Sequence, residues 1–167
     1  EEGIRVNASS FGLTELTGPS NLVRTSDGRW RIYFSDLPRA GQTLMPHSIY
    51  SASSSDLLNW YPDFGTRIGP KAELTGSGEH PAAIANADGS VSIFYFRNNT
   101  YELMAATSND GLTFTTESDT GLSSQSSMAN DPDLVRLSGG TLRMYYNAGD
   151  ATGGRVYSAL HSGSPPW

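Results

Sequence analysis

Acid–base or ligand chemistry in this 167-residue chain falls to a few side chains. Asp131 stands before Pro132 at the head of the apolar run "DLVRL", and His80, with Glu79 beside it, heads "PAAIA". A carboxylate so placed can give or take a proton, and an imidazole can hold an ion or a hydroxyl. Each has a plainer reading, Asp131 as an aspartate capping the turn into its strand and His80 as a hydrogen-bonded structural residue. Arg24 and Arg136 occupy equivalent places in "NLVRTSDG" and "DLVRLSGG", where paired guanidinium groups could grip an anion or simply tie neighbouring strands together. There is no cysteine, which excludes thiolate nucleophiles, thiolate ligands and disulfides.

The elements that must position these residues form a repeat. "SNLVRTSDGRWRIYF", "HPAAIANADGSVSIFYF" and "DPDLVRLSGGTLRMYY" each read as apolar strand, glycine turn and aromatic-rich strand, a hairpin signature. A second segment comes after each and ends at Trp60, Phe114 and Trp167, which are spaced 54 and 53 residues apart. That period belongs to propeller blades. Trp60, Phe114 and Trp167, like Trp30, Tyr33, Tyr145 and Tyr146, are expected to pack. Met45 and His47, in the long loop "SDLPRAGQTLMPHS", and Tyr101 in its second-repeat counterpart are candidates for surface contacts. Asp56 and Asp110 read as turn residues whose side chains bond backbone amides, and Asp63 and Glu117 as outer-rim carboxylates.

The expected fold is therefore an all-β propeller of three four-stranded blades, one unit over 1–167 with repeats near 18–69, 79–123 and 130–167. The third repeat lacks a fourth strand after Trp167. "EEGIRV" at the start matches the short strands "DFGTRI" and "SDTGL" that come after the aromatic in the other two repeats, so Gly3–Val6 is expected to complete a last blade. Three blades do not close a ring. The expected solution is a six-bladed homodimer, each chain lending Gly3–Val6 to the other; the alternative is a segment of a longer chain. In such a dimer two copies of His80 and of Asp131 should face a shared central channel across the two-fold axis. Alternation along an extended strand would send Glu79 to the face opposite His80.

Composition narrows the classes. A net charge of -6 and a pI near 4.9 argue against a phosphate-gripping nucleic-acid binder. No apolar run approaches the roughly 20 residues that span a bilayer, and the start has neither a basic region nor an apolar signal core, so no membrane partner is expected and any export signal is already gone.

The Asp131-Pro132 pair before "DLVRLSGGTLRMYY", the segment "GGRVYSAL" and the "SSDLLNW" and "SNDGLTF" turns together resemble the furanosidase-type glycoside hydrolase propellers. That grouping holds arabinanases, β-xylosidases, invertases and levansucrases. The sialidase Asp-box fits less well, since "SNDGLTF" lacks the residue between Asp and Gly and "SSSDLLNW" lacks the Gly. The resemblance implies an oligosaccharide or polysaccharide ligand and a secreted or extracytoplasmic location. It also implies a reaction needing two carboxyls, placed at the starts of innermost strands. Asp131 becomes the candidate catalytic residue, with His80, Glu79, Arg24 and Arg136 as candidate ligand-binding residues. Only one of Pro19, His80 and Asp131 is acidic, so glycan binding with weak or lost hydrolysis is expected. The alternatives are a structural or protein-interaction module, or a fragment of a larger glycosidase. No cofactor is expected, and nothing in the sequence supports a channel metal ion.

Overall fold

One turn design closes all three hairpins. Thr25, Asn86 and Leu137 each donate their amide to the carbonyl four residues on, at 2.8–2.9 Å, and each accepts from a glycine amide three residues on. Those glycines, Gly28, Gly89 and Gly140, have φ of 78°, 86° and 88°, a left-handed conformation in which a side chain would be strained. The computed structural model describes residues 3–37, 46–97, 100–122, 128–150 and 153–161.

Among the described residues the chain is all-β apart from a single 3-10 turn at Ala8–Phe11. The first sheet holds β1 (Leu16–Thr17), β2 (Val23–Arg24), β3 (Trp30–Asp36), β4 (Ile49–Ser54) and β5 (Tyr61–Ile68). β1 and β2 pair with the same side of β3, so they act as one interrupted inner strand. The second sheet runs in order β6 (Glu79–Ala85), β7 (Val91–Arg97), β8 (Glu102–Ser108) and β9 (Thr116–Asp119). The third holds β10 (Met128–Arg136), β11 (Leu142–Asp150) and β12 (Gly153–His161). All pairings are antiparallel, and apart from β1 with β3 they join chain neighbours, as in propeller blades.

Two apolar cores lie between the sheets. Tyr33, Ile49 and Ile68 of the first meet Ile93, Tyr95 and Phe114 of the second. Phe94 and Leu103 on the second sheet's other face meet Leu134, Leu142 and Met144 of the third. Phe114 is thus a core anchor as expected, while Trp60 is only half-buried beside Ile4 and Pro62; Trp167 and Met45 lie outside the described residues. Phe11 packs edge-on against Phe34 and near Tyr50, covering part of the first sheet's outer face. Gly3–Val6 forms no strand within this chain, and β12 has no neighbour on its outer side among the described residues. Among these residues no helix is long and apolar enough to cross a membrane.

Asp56 and Asp110 are turn residues: each Oδ1 accepts two backbone amides at 2.8–2.9 Å, and a serine hydroxyl donates to it. The Asn59 backbone amide holds the Asp56 carboxyl well below the usual carboxylate range, and the Ser90 hydroxyl lowers that of Asp88. Below the ordinary value of 3.8 the unfolded chain takes up protons that these folded carboxylates still refuse. Stability should therefore fall as pH drops from about 4 through the lower folded values, and Asp56→Ala should flatten that slope in thermal melts recorded at stepped pH.

Candidate functional site

Proline cannot donate to a sheet ladder, so inside a strand it marks either a sheet edge, as Pro62 does in β5, or a bulge. The inner strands β6 and β10 carry the bulge. Glu79 pairs with Phe96 and Ala82 with Phe94, leaving His80 and Pro81 opposite the single residue Tyr95. Asn130 pairs with Asn147 and Asp133 with Tyr145, leaving Asp131 and Pro132 opposite Tyr146. His80 and Asp131 take φ of 50° and 49°, and Gly18, before Pro19, takes 56°. The repeat equivalent of His80 and Asp131 is therefore Gly18, one residue before the expected Pro19. Left-handed backbone costs a non-glycine residue roughly 1–2 kcal/mol, and its retention at two matched sites points to a role for their side chains.

The bulge also overturns the expectation for Glu79. In a regular strand it would point away from His80; here the extra residue turns both to one side, with Glu79 Oε2 3.8 Å from His80 Nε2. His80 Nδ1 lies 2.5 Å from Asp131 Oδ1, joining the second sheet to the third. On the other side His47 Nε2 lies 3.1 Å from Glu79 Oε1, and its Nδ1 donates to the Asp36 carbonyl at 3.0 Å. The result is a row alternating carboxylate and imidazole: Asp36, His47, Glu79, His80, Asp131.

The row is graded. His47 is one-tenth exposed at its side chain and Asp131 45%. The buried end is braced, since Asp36 Oδ1 accepts the Ser48 amide at 2.8 Å and the Ser35 hydroxyl accepts the His80 amide at 3.0 Å. Burial pushes the Asp36 carboxyl up, against the opposing Ser48 bond and His47. Gly18 gives the row its room: a Cβ there would stand 3.2 Å from the His80 Cα. Both nitrogens of His47 face oxygens, so the His47–Glu79 contact must hold a proton on one partner or the other. The open end presents a carboxylate backed by an imidazole, an arrangement able to accept hydrogen bonds from hydroxyls and to exchange a proton with them.

Sequence reasoning missed Asp36 and placed His47 only as a surface contact. Neither lies near Glu79 in the chain, and only the pairing of β3 with β4 beside β6 brings them together. Arg24 and Arg136 are not part of the row. Arg24 lies over the Trp30 ring at 5.9 Å, while Arg136 donates to the Ala85 carbonyl of the neighbouring sheet at 3.1 Å. Tyr101 is exposed, and Glu117 is half-buried against Arg97. Asp63 departs from its expected outward position, turning inward to Arg31 at 2.9 Å. Among the described residues no group of three His, Asp or Glu side chains is set to hold a metal ion.

No protein-family model and no curated protein sequence matches the chain. Solved structures do. A sucrose-6-phosphate hydrolase from Lactobacillus gasseri superimposes with a TM-score of 0.70 at 18% identity, over 88% of this chain and 32% of that one. The catalytic domain of a GH62 α-L-arabinofuranosidase from Coprinopsis cinerea gives 0.62 at 14% identity, over 95% and 49%. A Bacteroides thetaiotaomicron endo-1,4-β-xylanase gives 0.62 at 19%, over 87% and 46%. At these identities the likeness is one of fold, that of furanosidase-type propellers, and this chain spans a third to a half of the length of those structures.

Proposed function

We propose that this chain is a glycan-recognising part of a glycoside hydrolase-type propeller, with hydrolysis weak or lost. The observation that carries the reading is the set of three matched left-handed positions, Gly18, His80 and Asp131, of which one alone is a carboxylate. Asp131 would accept sugar hydroxyls with His80 behind it, and Glu79 would hold His80 and His47 in place. Two carboxyls flanking a glycosidic bond are the usual requirement for its hydrolysis, and replacement of matched positions by glycine and histidine removes the obvious second one. The reading calls for no cofactor and suits an extracytoplasmic setting.

The outer side of β12, with no strand neighbour among the described residues, supports a second element of the proposal, a homodimer in which Gly3–Val6 of one chain extends the third sheet of its partner. A solution mass of twice the chain's would fit it, and a compact monomer would not.

Calorimetry with arabino-, xylo- and fructo-oligosaccharides tests the function. Binding by the wild type, weakened at least tenfold in Asp131→Asn, is expected, with no turnover of aryl-furanosides. Asparagine tolerates the left-handed backbone, so this variant keeps the fold. Turnover that Asp131→Asn abolishes would overturn the loss of hydrolysis. Absence of sugar binding alongside saturable binding to a protein would favour an interaction module.

A further inference from the structure

Phe64 is 93% exposed, the most exposed large apolar side chain among the described residues. Its position is built. Between the pairs Ser51–Asp63 and Ile49–Ile68, the single residue Tyr50 of β4 faces four residues of β5, so Phe64–Arg67 loops out of the sheet. Gly65 makes the loop possible at φ 86°, where an added Cβ would also meet the Arg67 guanidinium at 3.2 Å. Arg67 is buried, donating from Nη2 to the Phe64 carbonyl and, at 2.8 Å, from Nη1 to the Leu112 carbonyl in the β8–β9 connection of the second blade. A buried guanidinium thus clamps the loop to the neighbouring blade and leaves the ring in water.

The ring stands at an open hollow of about 380 Å³, where Lys71, Glu73 and Thr113 bring exposed donors and acceptors around it. A rigid aromatic ring surrounded by flexible polar groups suits a ligand with an apolar face and a hydroxyl edge. A sugar ring has both: its C–H face stacks on an aromatic and its hydroxyls bond the polar side chains. We infer that the Phe64 hollow is a second glycan-binding site, on the outermost strand of the first sheet, holding an oligosaccharide or polysaccharide chain. The inference rests on the glycan reading of the protein but not on the Asp131 row.

The test is native affinity electrophoresis of the 167-residue chain in gels containing soluble arabinoxylan, arabinan or inulin. The wild type should be retarded by at least one of them. Phe64→Ala should lose at least fivefold in apparent affinity with an unchanged thermal midpoint, and Phe64→Trp should keep it. Wild-type retardation in Phe64→Ala, or no retardation of the wild type by any of the three, overturns the site. If the first occurs while Asp131→Asn abolishes retardation, the hollow fails and the glycan reading stands. If calorimetry also finds no oligosaccharide binding, both fail. A change of solution mass in Phe64→Ala without a change in retardation marks the ring as a protein contact and overturns the inference as well.

Discussion

Asp63→Ala is expected to destabilise the chain by about 3 to 5 kcal/mol, because it strands a buried guanidinium. Arg31 is 1% exposed and lies between the first two sheets. Its Nε donates to Asp63 at 2.9 Å and its Nη1 to the Asp110 carbonyl at 3.1 Å, while Asp27, half in water, is 3.4 Å from Nη2. Burial pulls the Arg31 pKa down, and Asp63, with Tyr33 and Asp27 adding to it, more than reverses that. Without Asp63 the charge keeps only a weak ionic partner. At roughly 2–4 °C per kcal/mol for a chain of this size, the midpoint should fall on the order of 10 °C. The double variant Arg31→Met with Asp63→Leu should recover most of that loss, since replacing both members removes the stranded charge. A loss below about 1 kcal/mol in urea unfolding of Asp63→Ala would show that Arg31 is solvated in solution.

Phe94→Ala should cost a similar amount, about 3 to 5 kcal/mol, for an apolar reason. Its fully buried ring fills the space between the second and third sheets in one cluster with Leu103, Leu142 and Met144, so truncation leaves a cavity there. The same kind of truncation on the far face of the third sheet should behave differently. Val156 is 76% exposed, so Val156→Ala should change stability by less than about 0.5 kcal/mol in dilute monomer. If a second chain covers that face, Val156→Ala will instead shift the monomer–dimer balance. Denaturant melts at two protein concentrations separate these cases, because only association makes the midpoint depend on concentration.

The hairpins were legible because glycine turns and strand aromatics are local signals, and each occurs three times. Much of the site was not. Reading Glu79 and His80 as members of a regular strand assigned them to opposite faces, although Pro81 and Pro132, at matched places inside inner strands, carried the signal of a bulge. Recognising it would also have identified Gly18, since glycine before Pro19 is the residue that takes a left-handed turn without strain. His47 was beyond local reasoning. Its approach to Glu79 depends on which strands lie side by side, and nothing in the loop that bears it indicates a partner 32 residues further on. Asp63 was misjudged for a related reason: outermost strands are read as solvated, yet one face of β5 looks into the space between two blades.

β12 has a further consequence for handling the protein. It is nine residues long, its described partner lies on one side only, and it contains no proline, aspartate or glutamate to discourage another strand from pairing. Val156 and Leu160 are exposed along it. Such an edge is a template on which further chains can add indefinitely, and the addition need not stop at two. Concentrated stocks should therefore be prone to slow, sheet-rich aggregation that seeds itself. A lysine at Ser158, or a proline near the strand's middle, is the kind of gatekeeper that would keep the chain dispersed.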